Sequence, residues 1–342
     1  MKILIQKDDI KSKMWGNELR SMGVSVHTLR GSPINWIFFY MKELSKDKPS
    51  AIIFRYLNDY PEFYKTILRF FSEIITMLLA KLLGTKIIWI CHNIDRETDV
   101  HYKYISEIRR FLIKKFARTI FVMDSLLVNS AKDQLKSSSI DFITFGTIEK
   151  KIDIELINKI NQYIRSHSNN TIFGLTIGSI NYKTIHFKKI PMLIESAKKN
   201  GFDLKMIVCG PIENYLNKHE SIILEYMKNS ENVYFINGYV NLDERLLERI
   251  SFVFKSNLDL SVPLSYYSTV SARIPIIAID GTFSAKLVST YKIGTTITED
   301  FSNIQAVFNN INSEKFLFDD FLLNHNWKIG AEKIRDIIKK DD

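Results

Sequence analysis

The chain has 342 residues, 46% of them hydrophobic and 25% charged, enough to bury a sizeable core and to form roughly two domains. Its formal charge of +9 is lopsided: residues 1–150 hold 24 Lys/Arg against 16 Asp/Glu, and the remainder 23 against 22. No stretch of about 18 uninterrupted apolar residues occurs, which excludes a membrane-spanning helix of the usual kind.

The basic first half suggests a polyanion or an anionic membrane surface as partner, with solubility as the plainer reading. Cys91 and Cys209 lie in apolar, strand-like runs and read as buried free thiols, which fits a reducing cytoplasm. Met1–Ile5 is too short for the core of a signal peptide.

The first apolar run, Lys2–Gln6, predicts a strand, and a loop with Asp8 and Asp9 follows. Trp15–Met22 predicts a helix ended by Gly23. Val24–Leu29 alternates as a second strand. Ile34–Leu44 is helical and Ala51–Phe54 a third strand, so the grammar is α/β with a mostly parallel sheet. Phe63–Leu83 is the most apolar helical pattern of the chain. It predicts a core helix packed on the sheet, or one whose exposed side, with Lys65, Arg69 and Lys81, rests on a membrane surface.

Gly84–Ile90 predicts a turn and a strand that runs into Cys91-His92-Asn93-Ile94-Asp95-Arg96-Glu97. Ligands in open α/β sheets bind beyond the carboxyl ends of strands. The imidazole of His92, the carboxylates of Asp95 and Glu97 and the guanidinium of Arg96 are therefore a candidate site, with His101 and Tyr102 on the helix expected next. Ile105–Ala117 is a basic helix. Thr119–Met123 is a strand ending in Asp124-Ser125 at the same sheet edge, and Phe142–Gly146 is a further strand. A polar segment, Lys150–Ser168, carries a crossing helix, and the domain boundary is expected near residue 165.

The second half repeats the pattern. Strands are expected at Ile172–Ile177, Leu204–Val208, Val233–Ile236 and Leu258–Val262, with helices at Ile190–Lys199 and Glu244–Ser251. Glycine follows a strand three times, at Gly178, Gly210 and Gly238, where it lets a ligand approach the backbone. Ser261–Ala278 then reads as loop, short hydroxyl-rich helix and buried strand. A helix start there, with Ser265, Ser268 and Thr269, suits a phosphate. No GxGxxG, Walker loop or Cys/His metal spacing is present in the sequence. Asn326-Trp327 opens a last helix.

Two Rossmann-like halves, a crossing linker and a C-terminal helix opened by Trp resemble the GT-B class of glycosyltransferases over essentially the whole chain. The most specific part is Pro263, Ser265, Ser268-Thr269, Ser271-Ala272, Arg273 and Pro275-Ile276-Ile277-Ala278, similar to the family's donor-binding loop, helix and strand. Gly178 with Lys183, Lys188 and Lys189 looks like the family's donor-phosphate segment. Gly210-Pro211 and Gly238-Tyr239 fall where the family places donor-contacting turns. His92-Asn93 is similar to the acceptor-side loop of bacterial members that build surface polysaccharides. The chain departs from the pattern where retaining members carry two glutamates, with Leu260 and Ser268 at those positions, and where an arginine often follows the first-strand glycine, with Ser179 there.

The resemblance implies two Rossmann-like domains facing a central cleft: an acceptor domain over 1–165, a donor domain over 166–325 and a C-terminal helix, 326–342, crossing back to the first. It implies a metal-independent hexosyltransferase with no cofactor beyond its UDP- or GDP-linked co-substrate. The acceptor would be a glycan, or a polyprenyl-linked glycan, in cell-surface polysaccharide synthesis. Donor contacts are expected from Gly178, Ser179, Lys183, Lys189, Gly210, Tyr239, Ser265, Tyr267, Ser268 and Thr269. The base of an inverting reaction is expected from Asp95, then Glu97 and Asp124, with His92 as base or sugar contact. The expected location is cytoplasmic, peripheral on the inner face of the cell membrane. The alternative is a non-catalytic sugar- or nucleotide-binding homologue or partner subunit. Nucleic acid is not an expected partner, because the basic residues are spread over several helices without a binding motif.

Overall fold

The computed structural model describes residues 1–95, 97, 100–148, 154–178, 180, 186–212, 218–238, 249–257 and 259–340, with the side chains of 186–188 and 218–220 outside the description. The chain forms two compact units, Met1–Phe145 with Leu260–Val262 and His325–Asp342, and Gly146–Asp259 with Pro263–Asn324.

In the first unit, strands β1 (Lys2–Ile5), β2 (Ser25–Thr28), β3 (Ala51–Phe54), β4 (Lys86–Ile90), β5 (Thr119–Val122) and β6 (Ile140–Phe142) form a parallel sheet in the order β2-β1-β3-β4-β5-β6. Helices α1 (Ile10–Ser21), α2 (Trp36–Leu44), α3 (Phe63–Leu82), α4 (Lys103–Phe116) and α5 (Val128–Leu135) connect them. Every residue of β1, β3 and β5 is buried, because helices cover a parallel sheet on both faces and its inner strands become continuous apolar runs. Asp9 caps α1 by accepting the Ser12 N–H at 2.9 Å.

Helix α3 is inverted relative to the expected core helix. Thr66, Arg69, Ser72, Glu73, Thr76, Met77 and Ala80 face inward. Tyr64, Leu68, Phe71, Ile75, Leu78 and Leu82, spaced alternately four and three residues apart, face outward, and Leu82 is 82% exposed. A buried ion cluster, described below, takes the place of apolar packing on the inner face.

The second unit holds β7 (Ile172–Ile177), β8 (Leu204–Cys209), β9 (Val233–Ile236), β10 (Ile250–Lys255), β11 (Ile276–Ile279) and β12 (Gly294–Ile297), parallel in the order β12-β11-β10-β7-β8-β9. Its helices are α6 (Ile154–Arg165), α7 (His186–Lys199), α8 (Lys218–Lys228), α9 (Ser265–Ser271), α10 (Phe283–Tyr291), α11 (Ile304–Ser313) and α12 (Phe318–Asn324). The units divide at Phe145/Gly146 rather than near residue 165. Ile160 and Ile164 of α6 pack with Phe173 and Leu175 of β7, so the crossing segment joins the second core.

A strand occupies Ile250–Lys255, where the sequence suggests the end of a helix at Ser251 and a strand only from Leu258. The run Ile250-Ser251-Phe252-Val253-Phe254 is β-branched and aromatic and pairs with β7 and β11. Residues 244–248 of the expected helix lie outside the described residues.

The last helix, α13 (Trp327–Lys339), belongs to the first unit, as expected. Asn326 caps it by accepting the Ile329 N–H at 3.0 Å. Gly330 permits close packing there, since a Cβ would stand 2.6 Å from the Thr144 carbonyl oxygen and 2.7 Å from Trp15 Nε1.

Candidate functional site: two strand-end crevices

Each sheet changes direction once, and the helices flanking such a switch point part to leave a crevice beyond the carboxyl ends of the two strands. In the second unit the chain runs from β7 to β8 and β9 on one side, then returns to β10 on the other. The crevice therefore opens where β7 ends in Ile177-Gly178 and β10 ends in Lys255-Ser256.

Gly178 adopts φ +129°, a region that favours glycine. Its N–H donates to the Cys209 carbonyl at 3.1 Å. Gly210 completes the close approach, because a Cβ there would lie 1.9 Å from the Gly178 oxygen.

Beneath this turn is Lys255, 2% exposed, whose Nζ donates to the Ile177 carbonyl oxygen. No carboxylate pairs with it among the described residues, and burial pulls its ammonium down to about 7. The neighbouring Ser256 Oγ and Asn257 Oδ1, and Thr176 Oγ1 on β7, are buried without hydrogen-bond partners among the described residues. Buried polar groups are normally satisfied. A buried amine and three orphaned polar atoms at glycine-lined strand ends fit an anion with hydroxyl groups beside it.

In the first unit the switch lies between β1 and β3, whose ends are Gln6-Lys7 and Arg55-Tyr56. Arg55 is 1% exposed. Its Nη1 donates to Asp9 Oδ1 at 2.5 Å and to Ser12 Oγ. Its Nη2 donates to Tyr56 Oη at 3.0 Å and faces His92 Nε2 at 3.4 Å. The guanidinium can only donate, so Nε2 accepts and the neutral ring carries its proton on Nδ1. Burial, then Lys11, Arg55 and Lys7, hold His92 well below its ordinary range. The ring stacks on Tyr56 at 4.6 Å and on Phe145 at 5.9 Å.

Behind this crevice lies the ion cluster on the inner face of α3. Glu73, 1% exposed, accepts from Arg69 Nε at 2.9 Å, from Arg109 Nε at 2.8 Å and Nη2 at 3.0 Å, and from Gln6 Nε2 at 2.9 Å. The two arginines also donate to backbone carbonyls of the loop after β3. Arg69 reaches those of Tyr56 and Asn58, and Arg109 those of Leu57 and Asn58. Gln6 Oε1 accepts the Arg55 N–H at 2.8 Å. The cluster thus fixes the strand ends that form the crevice.

No family model matches the sequence, and no curated protein matches it. Solved structures do. Sucrose-phosphate synthase from Thermosynechococcus elongatus aligns with a TM-score of 0.68 at 13% identity, over 99% of this chain and 98% of that one. HepE from Anabaena, in complex with UDP and glucose, aligns with a TM-score of 0.64 at 13% identity over 99% of both chains. UDP-GlcNAc 2-epimerase from Methanocaldococcus jannaschii aligns with a TM-score of 0.56 at 13% identity, over 98% of this chain and 99% of that one.

The chain has the GT-B fold.

Within the GT-B fold the expected residues divide. Gly178 and Gly210 line the second-unit crevice. Ser179, Lys183 and Tyr239 lie outside the described residues, as does the side chain of Lys188. Lys189 is held by Glu299 at 2.9 Å.

In α9, two hydroxyls expected to face a donor bond back to the helix's own backbone. Ser268 Oγ and Thr269 Oγ1 both donate to the Ser265 carbonyl oxygen, at 3.0 and 2.8 Å, as hydroxyls on short helices do. Thr269 is fully buried, and Tyr267 is buried with its ring 5.5 Å from Phe321. Their burial corrects Tyr267 and Thr269 from donor contacts to packing residues. Ser265 stays half-exposed at the first position of α9.

In the first unit, His92 lies in the crevice and Asp95 is exposed on the loop after β4. Glu97, 5% exposed, pairs with Arg110 at 2.8 Å and accepts the Leu57 N–H at 3.4 Å. Asp124, fully buried, accepts the Leu126 N–H at 2.8 Å and faces His325 Nε2 at 3.1 Å. Both carboxylates are occupied by the fold, which removes them from the expected bases. His92 is removed too, because its acceptor nitrogen already faces Arg55. Arg96 lies outside the described residues.

Lys255 and Arg55 are the residues that sequence reasoning missed. A lysine directly after the apolar run Phe252-Val253-Phe254, and an arginine directly after Ile52-Ile53-Phe54, were the available signals.

Proposed function

We propose that the protein is a glycosyltransferase that takes a hexose from a UDP- or GDP-linked donor. The observation that carries this reading is Lys255, a buried amine without a counter-carboxylate among the described residues, at the switch point of the second unit. The donor diphosphate supplies the missing negative charge. The HepE structure, with UDP and glucose on the same fold at 13% identity, supports a nucleotide-sugar ligand.

In the proposed reaction Asp95 takes the proton of an acceptor hydroxyl. The oxygen attacks the anomeric carbon with inversion, the bond to the diphosphate oxygen breaks, and the electron pair leaves on the nucleoside diphosphate. Lys255, as ammonium, stabilises that leaving charge. His92 Nδ1–H is a donor to the acceptor. No metal takes part in this scheme.

Thermal-shift measurements with a panel of nucleotides and nucleotide sugars test the reading. A UDP or GDP derivative raises the melting temperature; a panel in which no nucleotide does so overturns it. Asp95→Asn lowers kcat by about 10²–10⁴-fold, the usual contribution of a general base, with little change in donor affinity. Turnover equal to the wild type removes Asp95 from the base role.

A binding subunit without catalysis is the second reading, favoured by the engagement of Glu97 and Asp124 in the fold. It predicts a nucleotide-induced thermal shift with no sugar transfer and no donor hydrolysis.

The acceptor is a glycan of the cell surface, carried on a lipid, and the protein works at the cytoplasmic face of an anionic membrane. The outward stripe of α3 supports this placement. It adjoins exposed Tyr104, Ile108 and Phe111 on α4 and Phe38 on α2, with Lys42, Lys65, Lys81, Lys103 and Lys114 on the same three helices. No described helix is long and apolar enough to cross a membrane, so the contact is interfacial. The chain co-sediments with phosphatidylglycerol vesicles, and Phe71→Ser with Leu78→Ser releases it. Both side chains are exposed, so the fold survives the change. Equal sedimentation of wild type and variant sinks the placement.

A further inference from the structure

The first-unit crevice gathers more positive charge than the fold neutralises. Lys7 Nζ lies 5.0 Å from the centroid of the Tyr56 ring, Lys11 Nζ lies 5.9 Å from the same centroid and 4.7 Å from that of Phe145, and the Arg55 guanidinium lies 4.8 Å from the Tyr56 centroid. Neither lysine has an ion pair or hydrogen bond among the described residues.

The carboxylates nearby do not cover the excess. Asp9 is taken by Arg55 and the Ser12 N–H. Asp8 accepts from Thr28 Oγ1 at 3.1 Å and pairs with Arg30 at 3.4 Å. Two polar nitrogens of the same group, Arg55 Nε and His92 Nδ1, are buried without partners. Three cations therefore share one carboxylate around an aromatic floor, next to two orphaned nitrogens, at the point of the sheet where ligands bind.

We propose that Lys7, Lys11, Arg55 and His92 form a subsite for a phosphate group of the acceptor. The acceptor role rests on the glycosyltransferase reading, and the phosphate rests on the residues above. A phosphate fits each of the observations. Its oxygens accept from both ammoniums and from the proton on His92 Nδ1, and its charge offsets the excess of two cations. Tyr56, His92 and Phe145 form an apolar floor for the organic part of the ester.

Lys11 supplies a second handle. Burial, Arg55 and Lys7 pull it down to about 8, while Asp9 opposes them. A bound phosphate restores its proton, so phosphate affinity falls as the pH is raised from 7 to 9. The groups that face it are Lys7, Asp9, Arg55, Tyr56 and His92, and it is Lys11 that titrates in that window.

Calorimetric titration of the full chain with inorganic phosphate and with glycerol phosphate tests the subsite without any donor. The double variant Lys7→Gln/Lys11→Gln alters two side chains at the rim and keeps the buried Arg55, so it folds. It is expected to bind phosphate at least tenfold more weakly, while Lys132→Gln, at an exposed position of α5, binds it as the wild type does. Phosphate binding of unchanged strength in the double variant, or equally weakened in Lys132→Gln, overturns the proposal.

Phosphatidylcholine vesicles carrying polyprenyl phosphate separate the sources. Stronger recruitment of the wild type than of the double variant assigns a lipid phosphate, and equal recruitment with retained glycerol phosphate binding assigns a soluble ester. A UDP-induced thermal shift, measured on the same proteins, reports on the donor reading independently. Its absence removes the acceptor role and leaves the phosphate result standing.

Discussion

Lys255→Met stabilises the protein at pH 7 and, in the proposed reaction, lowers sugar transfer by orders of magnitude. The stability change follows from proton linkage. The lysine binds its proton with a value of about 7 in the fold, against 10.5 in an unfolded chain. Between those values the unfolded state holds more protons, so unfolding becomes more costly as the pH rises through the window. At pH 7 the wild type forgoes on the order of 3–5 kcal/mol, because each tenfold loss of proton affinity on folding corresponds to roughly 1.4 kcal/mol.

Methionine has a similar length and no charge to desolvate. It gives up only the hydrogen bond to the Ile177 carbonyl, worth about 1 kcal/mol. The variant therefore melts several degrees higher at pH 7, and the difference closes near pH 10. Donor turnover falls by about 10²–10³-fold, the scale of removing one preorganised partner of a developing negative charge. Melting curves at pH 7 and 10, with turnover measured alongside, check both halves. A variant less stable than the wild type at pH 7, or as active, contradicts this account.

Glu73→Gln has the opposite effect on stability. Burial alone would raise the Glu73 carboxyl, but Arg109 and Arg69 outweigh it and hold the group below the ordinary glutamate range. Neutralising it strands two arginines that are at most 5% exposed, with Asp59 left as the partner of Arg109 at 2.8 Å. Removing one member of a buried ion cluster costs about 3–5 kcal/mol, because the remaining charges lose their compensation.

The carboxylate's contribution is present above the ordinary glutamate value of 4.5 and is lost as the pH falls through its lower folded value. Urea unfolding at neutral pH is expected to show the deficit, and the gap between wild type and variant narrows in acid. Faster amide exchange over Leu57–Asp59 accompanies it, since both arginines hold carbonyls of this loop. An unchanged urea midpoint excludes this role for the cluster.

In the proposed scheme Lys255 is a cost accepted by the fold for a ligand, whereas Glu73 organises the crevice and touches no ligand. A substitution at the first therefore separates activity from stability, and one at the second lowers both together.

Much of the α/β architecture was legible in the sequence. Lys2–Ile5, Ala51–Phe54 and Ile172–Ile177 appear as apolar runs at their observed positions, since a strand covered on both faces admits almost nothing else. Asn326 marks a helix start through a bond made within three residues, whereas α1 begins at Ile10, directly after its cap Asp9, and not at Trp15 as expected. Glycines at Gly178 and Gly210 reveal strand ends where backbone passes close to backbone.

Long-range pairing was not legible, and the site depends on it. Arg55 became a crevice residue because β3 pairs with β1, which brings Asp9 and Ser12 to its guanidinium. Lys255 became a candidate donor contact because β10 returns beside β7 after two further strands. The apolar period of α3 reported a helix correctly but not its inner face. The partners of Glu73 come from residues 6, 69 and 109, and their burial turned the polar side inward. Local patterns set which segments form strands and helices, because apolar periodicity, caps and turns are properties of neighbouring residues. Which charged residue is buried, and which carboxylate remains available, was decided by pairings tens of residues apart that only the folded sheet brings together.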